Sequence, residues 1–469
     1  MLYRLGRGFF SRHPHLMMGP IGSVAQRIPI SIRHGREYRR IRRLLAESQW
    51  WSRERLDAYQ LEQLQWTLAK ANEVSPHYRE AFAAAGVTPA DLRSLDDIRR
   101  FPLLEKQDLR ENLGRMINPK IPRSRTMDFC TGGTTGPGVV IPFEESYRNR
   151  CRGFVWHMWE QIGYRPDMLG VILQHREVPE DVNEGIWYME KPSNAMVLSS
   201  HRLTPRTIHK YLEAIEQHRP RVLIAYPSLA YLFAVYAKQA GLKEHLFDLV
   251  ILSSETLYEF QRTELERVFQ AKTRIHYAHI ESAAMLSYCD HTNLYHVQPE
   301  YGFVEILKDD GSPASPGEVG EIVATNFENR LLPLVRYRTG DLAEASDARC
   351  ECGRNYSIVE RIHGRRADLI RSPSGTGHSP IVVEVLMDQA LLAGRDHFSD
   401  LQIVQTKLDE IVVRVVPSPD FRQEDVDWFC DLLDEALHHE IRITSERVAA
   451  IPRTSRQKKC LVVSEIQES

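Results

Sequence analysis

Between Phe143 and Phe269, short and almost continuous apolar runs ("MLGVIL", "RVLIAY", "FDLVILSS") alternate with amphipathic stretches such as "TPRTIHKYLEAIEQH". Runs of this length without polar alternation belong to strands covered on both faces, and the intervening helical segments supply the cover. The pattern therefore predicts α/β architecture. It changes after Tyr301, where "GFVEIL", a "DDGSP" turn and "GEIVAT" read as antiparallel strands, a small barrel-like part of the same domain. Upstream, Arg43 to Ala85 is rich in helix formers with no proline before Pro76. Downstream of Asp368, the loop "SPSGTGHSP" precedes "LQIVQT", "EIVVRVVP", a helix from Gln423 to His438 and "RITSERVAAI", a β-β-α-β unit. The expected organisation is a basic arm (1–45), a large multi-layer domain of β-sheets and helices (46–366) and a small, mobile α+β domain (367–469).

With 60 basic and 63 acidic side chains, the net charge of -3 excludes nucleic acid as the main partner. The charge is uneven, since Met1 to Leu45 holds ten arginines, no lysine and one acid, Glu37. Such an arm suits an anionic membrane surface or an acidic protein, or else a helix face covering the main domain. An Arg-rich, acid-poor start also fits a transit peptide, and prolines and arginines interrupt every apolar stretch that a secretory signal would need. The most apolar run, "VLIAYPSLAYLFAVYA" from Val222, contains Pro227 and Ser228 and reads as strand, turn and buried helix, not a membrane span. Seven cysteines do not form a disulfide framework, which points to a reducing, cytoplasmic setting, with a membrane-peripheral position left open by the arm. Cys350 and Cys352 are too close for an easy mutual disulfide and suggest a metal.

Four segments carry chemistry. "TGGTTG", Thr131-Gly132-Gly133-Thr134-Thr135-Gly136, lets consecutive N–H groups converge on an anion and adds hydroxyl donors. No Lys-Ser or Lys-Thr follows, so it is not a P-loop of the Walker type. In "PLVRYRTGDL", Asp341 follows a tight Thr-Gly turn and can accept hydrogen bonds from vicinal hydroxyls, with nearby arginines balancing phosphate charge. "YAHIE" offers an aromatic for a base and a carboxylate for Mg²⁺. "RTSRQKKCLVVSE" places Lys458 and Lys459 before an apolar strand; alone, such a pair is ordinary solvated surface.

In this order, and together with "PHYREAF", "SLDDIRRFPLLEKQDLR", "AYPS", "LSSETL" and "CECGR…ERIHGRRADLI", these segments resemble the adenylate-forming superfamily of acyl-CoA synthetases, adenylation domains and luciferases. Within it they look most like the phenylacetate–CoA ligase-like branch, which includes capsule-biosynthesis proteins. The resemblance implies ATP-dependent conversion of a carboxylic acid to an acyl-adenylate, then transfer to coenzyme A. It implies that Thr131 to Gly136 hold the β- and γ-phosphates, that Ser254 and Glu255 line the adenine side and that Tyr277 stacks on the base. Glu281 would bind Mg²⁺, Asp341 the ribose with help from Arg365, and Lys458 the carboxylate and α-phosphate. Lys458, Glu281 and Thr134 are the implied catalytic set, and Tyr226, Ser228, Ala278 and His279 the acid pocket. Members of the branch also resemble this chain in a cysteine and histidine at the spacing of Cys289 and His296. With Cys350 and Cys352 these make a Cys₃His set for structural Zn²⁺.

Three positions depart from the family pattern: Pro137 follows the loop where a lysine is usual, Ala278 replaces a glycine, and Ala367 replaces the first hinge acid, with Asp368 next to it. They leave transfer to a carrier protein or to a polysaccharide amine or hydroxyl as an alternative second step. A non-catalytic scaffold in a membrane-associated complex is the alternative of another class. The acid itself and the assembly state, a homodimer among the options, are not encoded legibly.

Overall fold

The computed structural model describes residues 18–130, 139–242, 245–366, 369–374, 376–378, 380–453 and 459–466. The loop from Thr131 to Gly136, Pro137, the hinge residues Ala367 and Asp368, and Lys458 lie outside the described residues. The chain divides into two compact units, one formed by Pro29–Gly163 and His276–Ile362, the other by Met1–Ile28, Tyr164–Ile275 and His363–Ser469.

In the first of these units, the Gly35–Ser48 helix of the basic arm buries Ile41 and Leu45 in a cluster with Phe154, Met158, Met285 and Tyr301. Its arginines are not all presented to solvent. Arg40 bonds Glu328 and Arg42 bonds Glu160, while the fully buried Arg150 is held by Glu144 and Glu328. This part of the arm is a covering helix, neutralised on its inner face by acids of the unit it covers. The helical stretch that follows is split at Ser75. Its N–H closes the Arg53–Val74 helix on Ala71, and its Oγ accepts the Tyr78 N–H at 3.2 Å to cap Pro76–Ala84, with Pro76 in the first turn.

Antiparallel strands build the rest of this unit. Gly302–Leu307 pairs with Val319–Asn326, which pairs with Tyr337–Ser346, as the "GFVEIL", "DDGSP" and "GEIVAT" segments predict. Tyr295–Val297 pairs with Met285–Tyr288 on one side and with Ile358 and Val359 on the other. Met285 to Ser287 then pairs with His276 to Ala278, leaving His279 to Ala284 as a hairpin loop.

In the other unit, the three apolar runs become adjacent parallel strands, Gly170–Leu173, Val222–Ala225 and Leu249–Ser253. Ala195–Leu198 continues the parallel set, and Trp187–Glu190 closes it as an antiparallel edge. The stretch from Val222 divides as expected into a strand and the helix Pro227–Gln239. Among the described residues no helix is long and apolar enough to cross a membrane. The C-terminal segment carries its own four-stranded sheet, in the order Arg442–Arg447, Glu410–Pro417, Phe398–Lys407, Val462–Ser464. The helix Gln423–Ala436 places Val426, Phe429 and Leu433 in a core with Ile403, Ile411 and Val413. That core also takes in Phe260, with Tyr231 and Tyr258 against it, so the C-terminal sheet is docked on the helices that follow the parallel strands.

Candidate active site

The Tyr337–Ser346 strand does not pair evenly with Val319–Asn326. The register runs Glu321 opposite Leu342 and then Val323 opposite Arg338, so Thr339, Gly340 and Asp341 together face Ile322. Such a bulge turns a side chain away from the direction its place in the ladder would give it. It is held by Thr339 Oγ1, which donates to the Ile322 carbonyl at 2.7 Å and accepts the Asp341 N–H at 3.1 Å. Gly340 sits at φ +76°, a conformation costly for other residues, and its N–H reaches Glu321 Oε1 at 2.9 Å. The Thr-Gly-Asp sequence thus makes a rigid mount for one carboxylate.

That carboxylate meets the "YAHIE" hairpin. The Tyr277 hydroxyl donates to Asp341 Oδ2 at 2.7 Å, and the Tyr277 ring lies 5.8 Å from that of His279. Burial first, and then the charge of Asp341, push the Tyr277 hydroxyl far above its usual range, so it remains a donor. His279 Nε2 accepts the Ala284 N–H at 3.2 Å, which leaves Nδ1 to carry the proton that faces Glu281 Oε2 at 3.3 Å. The Tyr337 hydroxyl donates to Glu281 Oε1 at 3.1 Å. Burial alone would raise the Glu281 pKa, but the bond and charge of His279, a backbone N–H and the charge of Lys106 together outweigh it and hold the carboxyl at about 2. Glu281 is therefore an anion at any physiological pH, as a ligand for a hard cation must be. Next to it Ser282 takes φ +60°, and its hydroxyl accepts from Tyr147 at 2.5 Å; the Tyr147 and Tyr301 hydroxyls lie 2.6 Å apart.

Tyr277, His279, Glu281 and Asp341 thus form one contiguous cluster. Tyr337, Thr339 and Glu321 belong to it and were not singled out in the sequence. The arginines expected to balance phosphate charge are committed elsewhere. Arg336 bonds both Glu305 oxygens at 2.9 Å and the Phe101 carbonyl at 2.7 Å, and Arg338 is paired with Glu321 and Glu105. Carboxylates already neutralise both guanidinium groups, so that expectation is corrected.

In the other unit, Tyr226 precedes the Pro227–Gln239 helix, Ser228 is buried in its first turn, and Ser254 and Glu255 follow the Leu249–Ser253 strand. Glu255 Oε2 accepts the Ser228 N–H at 2.9 Å and Oε1 accepts the Lys459 N–H at 2.9 Å. Burial pushes the Glu255 carboxyl up, and these N–H groups oppose it. Lys459 Nζ is paired with Asp400 in a nearly buried ion pair. Arg365 ends the Ile358–Arg365 strand, next to Gly364 at φ +89°.

The Cys₃His set also converges. The ligand atoms of Cys289, His296, Cys350 and Cys352 all lie within 4.8 Å of one another. Cys289 Sγ is 3.3 Å from Cys350 Sγ, and Cys352 Sγ is 3.9 Å from His296 Nε2. Tetrahedral zinc with thiolate bonds near 2.3 Å separates its ligand atoms by about 3.8 Å. Backbone N–H groups of His291 and Cys352 point at Cys289 Sγ and Cys350 Sγ, each at 3.5 Å, as thiolates require. His291 itself is exposed and outside the set.

No protein-family model matches the sequence. The fold is that of a 2-hydroxyisobutyryl-CoA ligase solved in its postadenylation state, with a TM-score of 0.70 at 20% identity over 90% of this chain and 93% of that one. At that identity the likeness is one of fold. In sequence, a phenylacetate–coenzyme A ligase of Thermus thermophilus is 27% identical over 409 residues, 85% of this chain and 89% of the relative. Protein CapK of Staphylococcus aureus is 24% identical over 334 residues, 69% of this chain and 70% of CapK. An Escherichia coli phenylacetate–coenzyme A ligase is 27% identical over 324 residues, 67% of this chain and 72% of the relative. The curated relatives this chain is similar to are thus phenylacetate–coenzyme A ligases and CapK, the branch that its sequence motifs resemble.

Proposed function

We propose that the protein is an AMP-forming carboxylate–CoA ligase, which joins an organic acid to AMP and then passes the acyl group to the thiol of coenzyme A. The observation that carries this reading is that Tyr277, Glu281 and Asp341, which the resemblance assigns to base, metal and ribose, meet in one cluster together with His279 and Tyr337. The likeness to phenylacetate–coenzyme A ligases over most of their length supports the same reaction.

Attack of a carboxylate on the α-phosphate brings an anion toward a polyanion, so catalysis rests on alignment and charge neutralisation. Asp341, fixed by its bulge, takes the ribose hydroxyls with Arg365, and Tyr277 faces the base. Thr131 to Gly136 hold the outer phosphates, and Lys458 bridges the acid and the α-phosphate. Mg²⁺, held by Glu281, supplies positive charge when bound. Tyr226, Ser228, Ala278 and His279 line the acid, and their mixed polarity suits an aromatic or small polar acid.

The test is carboxylate-dependent exchange of pyrophosphate into ATP across a panel of aryl and short-chain acids. Lys458→Ala lowers that exchange by roughly 10²-fold or more, and Asp341→Ala lowers kcat/KM for ATP by about tenfold. Normal exchange in Lys458→Ala removes the lysine assignment. Offering free CoA, carrier thiols and amines as acceptors decides the second step. Absence of ATP binding favours a scaffold.

We also propose that Cys289, His296, Cys350 and Cys352 hold structural Zn²⁺, tying the Met285–Val297 hairpin to the loop before Ile358. Protein purified without chelator then contains one zinc per chain, and Cys350→Ser loses both the metal and several degrees of melting temperature. Zinc-free protein of unchanged stability would discard the site. We further propose a reducing, cytoplasmic setting, on the odd number of cysteines in the sequence.

A further inference from the structure

We propose that Glu255 is a positioning residue, a latch that fastens the C-terminal lysine segment to the first turn of the Pro227–Gln239 helix for adenylation and lets go for thiol transfer. This rests on the ligase reading above.

The first-turn amides of a helix have no partner within it, and Tyr226 at the N-cap provides no side-chain cap. Glu255 supplies one from a different segment, through its bond from the Ser228 N–H. A carboxylate suits the positive end of a helix and forms a stronger bond than a neutral cap. Its second oxygen is spent on the N–H of Lys459, 204 residues away in sequence. One side chain therefore joins three segments of the same unit.

Two further features converge there. Ser254, directly before Glu255, holds φ +74°, an unfavourable conformation for a non-glycine residue that persists only where the surroundings impose it. Arg453 donates to Ser228 Oγ at 2.8 Å and lies 3.8 Å from Asp400, the residue that pairs with Lys459. Residues 453 and 459 are thus each tied on one side to the Ser228 and Glu255 pair and on the other to Asp400 of the C-terminal sheet. Lys458 directly precedes the anchored amide. Any rotation of the C-terminal sheet away from the helix must break the Glu255 to Lys459 and Arg453 to Ser228 bonds. The Asp400 to Lys459 pair lies wholly within the C-terminal segment and travels with it.

The experiment compares full-length wild type, Glu255→Gln, Glu255→Ala and Arg453→Ala in three measurements. These are hydrogen exchange of the Lys459 amide, pyrophosphate–ATP exchange with an acid the wild type accepts, and thioester formation from the preformed acyl-adenylate of that acid and CoA. Glu255→Ala is expected to lose about tenfold in Lys459 protection and about tenfold in kcat for adenylation. In Arg453→Ala, which lies outside the nucleotide-binding set, KM for ATP should stay within about threefold of wild type and thioester formation should be preserved or faster. Glu255→Gln falls between, because an amide oxygen can still accept one N–H, and Arg453→Ala moves in the same direction as Glu255→Ala. Unchanged Lys459 protection overturns the proposal. So does an equal loss in both half-reactions, or a rise confined to KM for ATP, which would mark Glu255 as an adenine contact. If wild type activates no acid, the ligase reading fails, while the Lys459 measurement still decides whether the latch exists.

Discussion

Glu300 is fully buried, and the Ser48 and Tyr356 hydroxyls both donate to its Oε1 while Oε2 meets no hydrogen-bond partner among the described residues. Burial raises its pKa, and the two hydroxyls oppose that rise. A carboxyl with a raised folded-state pKa contributes stability that is fully present below its unfolded value, near 4.5, and lost as pH climbs through the folded value. Glu300→Gln keeps an acceptor for both hydroxyls but cannot ionise. Its melting temperature should therefore gain on wild type as pH rises from about 4 toward neutrality and then hold level. A constant difference across a pH series of thermal melts would show that Glu300 is not the titrating group. Such a residue is not legible in "VQPEYG", because its environment comes from Ser48, 252 positions away. Asp341 and Glu281 were singled out because each lies in a short local segment, the Thr-Gly turn and "YAHIE".

At the level of elements, the Gly35–Ser48 and Tyr147–Gln161 helices approach closely at Gly153. A Cβ there would lie 2.8 Å from Ile41 Cγ2 and 3.0 Å from Ile41 Cβ. Ile41 is fully buried and cannot swing away, so Gly153→Ala should destabilise by about 1–3 kcal/mol and lower the melting temperature by a few degrees. An unshifted melt would mean that the arm helix is not packed as described. A covering helix face was one of the readings open for the arm, but which arginines would be spent on Glu160 and Glu328 was not readable. The parallel strands were readable for a simpler reason: strands covered on both faces write their burial into consecutive residues. The bulge at Thr339 to Asp341 left no such trace, since register belongs to two strands at once.

Over the whole molecule, the core shared by Phe260 and the C-terminal sheet was also invisible in sequence, since its partners lie more than a hundred residues apart. The loop "SPSGTGHSP" announces a separate sheet and is silent about where that sheet docks. One feature of the docking reaches beyond stability. The first turn of the Pro227–Gln239 helix carries Ser228, a residue assigned to the acid pocket, and its amide and hydroxyl also meet Glu255 and Arg453. On the proposed reading, selectivity and the tempo of the catalytic cycle share one anchor point. If both proposals hold, recarving this turn to admit a bulkier acid retimes the enzyme as well, and a broadened variant that turns over sluggishly is best repaired at residue 453 or 255 rather than at the turn itself.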